Sequence, residues 1–197
     1  MTAPVLASLG GRREHQPALG IGGERVRLKD GMEVVIRALE LSDRAALTDL
    51  YERLGEHSRY HRFFASPERL PSSWADGLLD LAPGRRIGLV ADPAGEPRRI
   101  VALADYTVAP DGEHAEVGLL VEDAWQHQGL GRVLFERLLA VAGEHGLRVF
   151  VALVHCSNLR ALHALGRVAT ILERTIEAGV LKFTFTRSRE DPGIAGN

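Results

Sequence analysis

Val117-Gly118-Leu119-Leu120-Val121-Glu122-Asp123-Ala124-Trp125-Gln126-His127-Gln128-Gly129-Leu130-Gly131-Arg132-Val133-Leu134 decides the fold of this chain. It reads as an apolar strand, a short polar turn with two glycines, and the start of an amphipathic helix. Leu130, Leu134, Leu138 and Val141 then follow at helical spacing. Gly129 and Gly131 fall where the helix begins. The first amides of a helix have no acceptor inside it, and the helix dipole adds roughly half a positive charge there. Glycines let a ligand come close to that bare backbone, and a phosphorylated ligand is its natural occupant. No Gly-Lys-Ser/Thr follows, so this is not a Walker loop, and the order Gly-x-Gly-x-x-Gly of dinucleotide sites is absent. A glycine pair before a helix also serves simply as a strand-to-helix turn.

Upstream, Arg25–Leu28 and Met32–Arg37 flank Lys29-Asp30-Gly31, a hairpin signal. Ser42 is expected to cap a helix running to about Leu54. The aromatic segment Ser58–Phe64 follows, then a short helix from Ser72 to Leu81 ended by Pro83-Gly84. Ile87–Ala91, Ile100–Val108 and His114–Val121 read as an antiparallel meander. After the helix from Leu130 to about His145, Gly146 suits the position just past its end. Leu147–Val154 reads as a buried strand, Asn158–Leu165 as a short helix, and Ala169–Ile176 with Val180–Thr186 as a last hairpin. The strand 114–121, helix 130–145, strand 147–154 unit is a βαβ crossover inside a mostly antiparallel sheet with flanking helices, an α+β class. Residues 1–22 are expected to form a flexible leader, 23–188 one domain, and 189–197 a flexible tail.

The 197 residues carry 24 Lys+Arg against 26 Asp+Glu, a formal charge of −2, which argues against a nucleic-acid binder. No apolar run is long enough for a membrane span, and the N-terminus lacks the apolar core of a signal peptide. The single cysteine, Cys156, excludes an internal disulfide framework, and the whole fits a cytoplasmic protein. His57 and His61 stand four apart, but the segment between them lacks the acid of the zincin pattern, so no metal is expected.

The spacing Gln126-x-x-Gly129-x-Gly131 resembles the acyl-CoA signature of the GNAT acetyltransferases. The resemblance extends from about Met32 to Thr186. Within it, Leu54-Gly55-Glu56-His57-Ser58-Arg59-Tyr60-His61-Arg62-Phe63-Phe64 is similar to the "LSPES-Y-RFF" helix of bacterial Pat-type protein-lysine acetyltransferases. Asp30–Arg37 is similar to their "DG--V-IR" opening, and Ala115-Glu116-Val117 to their "AE-A" strand. The resemblance implies acetyl-CoA as cosubstrate and a primary amine as acceptor, with a protein lysine favoured by the Pat-type segments. It implies that the loop Gln126, His127, Gln128, Gly129, Leu130, Gly131, Arg132 cradles the pyrophosphate. It further implies that two central strands splay apart, that Leu119, Leu120 and Val121 meet the pantetheine arm, and that Glu116 is the general base. Nothing in the chain resembles the nucleotide-sensing domains that often accompany that catalytic domain. Many GNAT enzymes carry a tyrosine seven residues beyond the asparagine of the following helix, as acid to the leaving thiolate. Seven beyond Asn158 is Leu165, and no tyrosine follows Tyr106.

Each candidate also has a plainer structural role. Glu116 shares its strand face with Gly118 and Leu120, so a partly apolar cleft should raise its pKa, unless it is merely an exposed or arginine-paired strand residue. Asn158 could bond pantetheine or only cap a helix. Arg132 could meet a phosphate or only water. Tyr60, Arg62, Phe63 and Phe64 could line the acceptor cleft or the core. The alternatives are a small-amine transferase, acting for example on a polyamine or aminoglycoside, a non-catalytic acyl-CoA sensor, and, remotely, a hydrolase using Cys156. The sequence leaves the oligomeric state open, a homodimer among the options.

Overall fold

The computed structural model describes residues 23–80 and 85–188. The expected leader and tail, and the Pro83-Gly84 stop, lie outside them. Eight strands form one sheet in the order β1-β2-β3-β4-β5-β6-β8-β7. β1 (Glu24–Arg27), β2 (Glu33–Ala38), β3 (Arg86–Pro93), β4 (Ala102–Val108) and β5 (His114–Val121) run antiparallel to their neighbours. The crossover through α4 (Leu130–Glu144) makes β6 (Val149–His155) parallel to β5. β7 (Ala169–Glu177) and β8 (Val180–Arg187) close the sheet as a hairpin whose turn uses positive φ at Ala178 and Gly179. Gly31 likewise takes a positive φ in the first hairpin, as Asp-Gly turns require.

The alternation read in β5 divides two cores. Ala115 and Val117 are buried beneath α4, with Leu119 and Val121 packed on the same cluster. Leu120 points the other way, into a cluster with α1 (Arg44–Arg53) and α3 (Ser72–Leu79). α2 (Glu56–Phe63) joins that side, where Phe63 meets Tyr51 and Trp74 edge-on at 5.4 and 5.2 Å. α4 ends as its sequence promised. Gly146 has φ +85°, with Gly146 N–H donating to Gly143 and Leu147 N–H to Ala142, so left-handed backbone satisfies carbonyls the helix leaves open.

Ser42 is not the helix cap that was expected. A short 3-10 turn, Leu41–Asp43, precedes α1. Asp43 is the residue that matters there: its carboxylate accepts from Glu40 N–H at 2.9 Å and from Arg37 at 2.7 and 3.0 Å. Arg37 also donates to Asp92 at 2.8 Å, so one guanidinium clamps β2, β3 and the start of α1. Burial alone would loosen the proton of Arg37, but the bonds and charges of the two aspartates outweigh it and hold the proton more firmly than usual. Among the described residues no helix is long and apolar enough to cross a membrane.

Candidate active site

β5 and β6 begin as a parallel pair and then separate. Their register covers only His114↔Val149, Ala115↔Phe150 and Glu116↔Val151. Beyond Glu116, β5 continues against β4 as far as Val121, and β6 continues against β8 as far as His155. The strands part in a V, and a cleft partly open to solvent lies in the opening. Glu116, Val117, Gly118 and Leu119 form one wall, Ala152–Val154 the facing one. His61 and Arg62 of α2, Phe64 just past its end, Asn158 at the cap of α5 (Leu159–Val168) and Leu165 within it also line the cleft.

The backbone of β5 supplies donors to this opening. Glu122 N–H donates to Val101 across the β4 ladder at 2.8 Å. Antiparallel ladders alternate, so Leu120 shares that phase and its amide is taken up by β4. Leu119 and Val121 have the opposite phase and face the gap. Of the three residues expected to meet the pantetheine arm, Leu119 and Val121 turn their amides to the gap and Leu120 turns its amide to β4.

Glu116 sits at the apex of the V, where pairing ends. Its side chain is exposed, so the burial expected around it is absent. The glycine turn has the strained backbone that its composition allows: His127 at φ +66° and Gly129, the residue before α4, at φ +89°. The first helical bond runs from Val133 N–H to Gly129, which leaves the amides of Leu130 and Gly131 without an acceptor inside the helix. The Leu130 side chain is fully buried and anchors the turn. A Cβ on Gly131 would stand 3.3 Å from Val121 and 3.5 Å from Leu119, so glycine lets the helix start rest on the strand. Gln128 accepts from Lys29 N–H.

Three candidates are already engaged within the protein. Gln126 donates to the Val121 carbonyl at 3.0 Å, to Ser58 at 3.1 Å and to Asp123 at 3.2 Å, and accepts from Arg160. Its side chain braces the turn against β5, α2 and α5. Arg132 donates to Glu136 one turn along at 2.6 Å. Asn158 lines the cleft, and its oxygen caps α5 by accepting from Ala161 N–H at 3.1 Å.

None of the three tyrosines lines the cleft where the missing acid was sought. Tyr106 is fully buried against His145 at 2.8 Å, and burial pushes its hydroxyl up to about 12. Tyr51 bonds the Pro67 carbonyl. Tyr60 meets His155 edge-on at 5.2 Å, beside the cleft.

Two features escaped the sequence reading. Arg62 donates to Asp105 at 3.0 Å, with its guanidinium over the rings of Phe63 and Trp74, and so pins α2 to β4. The pair fits because residue 118 is glycine: a Cβ there would stand 2.5 Å from the Arg62 guanidinium and 2.7 Å from the Asp105 carboxylate. His61 meanwhile stacks with His155 at 6.1 Å and bonds Ser157 at 3.2 Å. Burial, and then the charges of His155, His57 and Arg160, push its imidazole pKa below the usual value.

A sheet splayed in this way, with donors on one lip and a glycine-rich helix start at its end, defines a site for a phosphorylated acyl carrier. The sequence profile of the acetyltransferase (GNAT) family matches residues 45–168, and the chain belongs to that family. It is an acetyltransferase that uses acetyl-CoA. The GNAT domain of S. lividans PAT is 31% identical, with a TM-score of 0.74 over 83% of this chain and 96% of that one. Acetyltransferase PA5475 of Pseudomonas aeruginosa is 29% identical over 133 residues, 66% of this chain and 71% of that protein. The fold is shared with yncA of Salmonella typhimurium, solved with its cofactor acetyl-CoA (21% identity, TM-score 0.62, covering 83% and 99% of the two chains).

Gly118→Ala is expected to displace Arg62 or Asp105 and to cost about 1–3 kcal/mol of stability, in the manner of other overpacked sites. Thermal melting of the variant beside the wild type measures this, and an unchanged melting temperature would mean that the pair repacks freely.

Proposed function

We propose that the chain moves an acetyl group from acetyl-CoA directly to a primary amine of a protein lysine, in the cytoplasm, with Glu116 as general base. The observation that carries this reading is the end of β5–β6 pairing at Glu116, which sets one carboxylate at the apex of the cleft. An alkyl amine has a pKa of about 10.4 and arrives protonated, so it needs a proton acceptor before it can attack. Exposure of Glu116 lets it act directly or through water. As the carbonyl becomes tetrahedral its oxygen needs donors, and the amides of Leu119 and Val121 are suited to that and to the pantetheine arm. The amides of the turn 126–132 would meet the pyrophosphate, with Asn158 beside the arm. The likeness of residues 54–64 to the Pat-type helix, and the 31% identity to the S. lividans domain, favour a protein lysine over a small amine. The reading extends to a homodimer joined along β7, an edge strand among the described residues that exposes Ile171, Leu172 and Ile176.

Glu116→Gln should lower turnover roughly a hundredfold with acetyl-CoA affinity nearly intact, and the acidic limb of the pH–rate profile should flatten. Wild-type rates and profile in the variant would place the base elsewhere. Gly129→Asp forces a branched, charged residue into left-handed backbone at the turn, and should weaken acetyl-CoA binding at least tenfold, about 1.4 kcal/mol. Calorimetry returning the wild-type affinity would remove the turn from the cofactor site. For the dimer, Ile176→Lys should convert the wild-type assembly to monomers in light scattering, and a wild type that is already monomeric rejects the contact.

A further inference from the structure

An amine that enters as an ammonium has two protons to shed before it is an amide. One leaves before the nitrogen attacks, the other once the new C–N bond has formed. On the α2 wall of the cleft, His61 begins a hydrogen-bonded chain that leads outward. Its Nε2 lies 3.2 Å from Ser157 Oγ, and that oxygen lies 2.7 Å from His155 Nδ1. The backbone N–H of Ser157 points at the same Nδ1, 3.3 Å away. A ring nitrogen that accepts from an amide carries no proton, so His155 holds its proton on Nε2 and the Ser157 hydroxyl donates to Nδ1. The serine oxygen is then free to accept, and His61 Nε2–H is its donor. The chain therefore has a direction, from the cleft toward the exposed end of β6, and it leaves Nδ1 of His61 as the proton-accepting atom of a ring that lines the cleft.

We propose that His61 takes one proton from the acceptor nitrogen during transfer and that Ser157 and His155 conduct it to solvent. The proposal rests on the reading of this cleft as the acetyl-transfer site. As Nδ1 of His61 gains the proton, Nε2–H passes to Ser157 Oγ, the serine's own proton passes to His155 Nδ1, and His155 releases Nε2–H to water. The acceptor nitrogen bonds the acetyl carbon, the C–S bond breaks, and its electron pair departs on sulfur. Glu116 takes the other nitrogen proton. The thiolate of coenzyme A, a group with a pKa of about 8–9, collects its proton from water, so no acid is needed at Leu165.

The surroundings of His61 suit an acceptor. His57 and Tyr60 on α2 have rings 6.2 Å from its own, and His155 and Arg160 face it from β6 and α5. Arg62 and Glu116 border the same cleft. Burial first, and then the positive neighbours, disfavour the imidazolium, so the ring gives up a captured proton readily.

The test compares His61→Ala and Ser157→Ala with wild type and Glu116→Gln, using acetyl-CoA and a lysine peptide. His61→Ala should lose roughly tenfold to a hundredfold in kcat with KM for acetyl-CoA unchanged, and added imidazole should restore part of it. Ser157→Ala should lose less, about threefold to tenfold, because water can bridge its place. Full kcat in both variants, or a loss in His61→Ala that imidazole does not relieve, overturns the relay while leaving Glu116 as base. Full activity of Glu116→Gln beside an imidazole-rescued His61→Ala supports the relay and overturns the assignment of the base. A wild type that transfers acetyl to no amine overturns both.

Discussion

The site exists because one ladder stops early. β5 and β6 share three residue pairs and then each commits to its other neighbour, β4 for one and β8 for the other. A sheet ordinarily saturates its backbone donors, and an interior strand with open amides is costly unless something else accepts from them. In a cleft partly open to solvent, water can take that role. The opening is kept by what flanks it. α4 lies over the β5 side with Leu130, Leu134 and Leu138 fully buried, and the hairpin of β7 and β8 carries β6 away along its whole length.

The same constraint sorts the chemistry of the walls. Where the strands still touch, the sheet presents Glu116. Where they have parted, it presents backbone. At the far end of β5 the turn presents more backbone, at the start of a helix with its positive pole. A carboxylate, then neutral donors, then an electropositive helix end form a gradient along one strand. An acyl carrier that is apolar at its reactive end and anionic at the other fits that gradient in one orientation only. On the α2 side of the cleft the lining is instead His61 and Arg62.

Much of this was legible from residue order because it is local. The strand 114–121, the glycine turn, the helix from Leu130 and its stop at Gly146 follow from spacing and from backbone that only certain residues tolerate. Glu116 was singled out by the likeness of Ala115-Glu116-Val117 to the Pat-type strand, but its exposure was not legible, since exposure depends on how far β6 has already turned away. Ser42 looked like a cap because serines cap helices, yet Asp43 holds that ground through Arg37 and Asp92, the latter 49 residues further along the chain. The Arg62–Asp105 clamp and the contact of His61 with Ser157 span 43 and 96 residues, and no periodicity reports such pairs. Gly118 was the one available hint, a glycine inside a strand that marks a close approach without saying of what.

The fourfold engagement of Gln126 has a thermodynamic consequence. One amide group joins the end of β5 to Ser58 of α2 and Arg160 at the start of α5, with Asp123 beside it. The glycine turn and the helices α2 and α5 thus share a single node. A ligand that shifts Gln126 from one side alters the free energy of binding on the other. Because such linkage is reciprocal, any preference that the carrier imposes on the acceptor is returned by the acceptor to the carrier in equal measure.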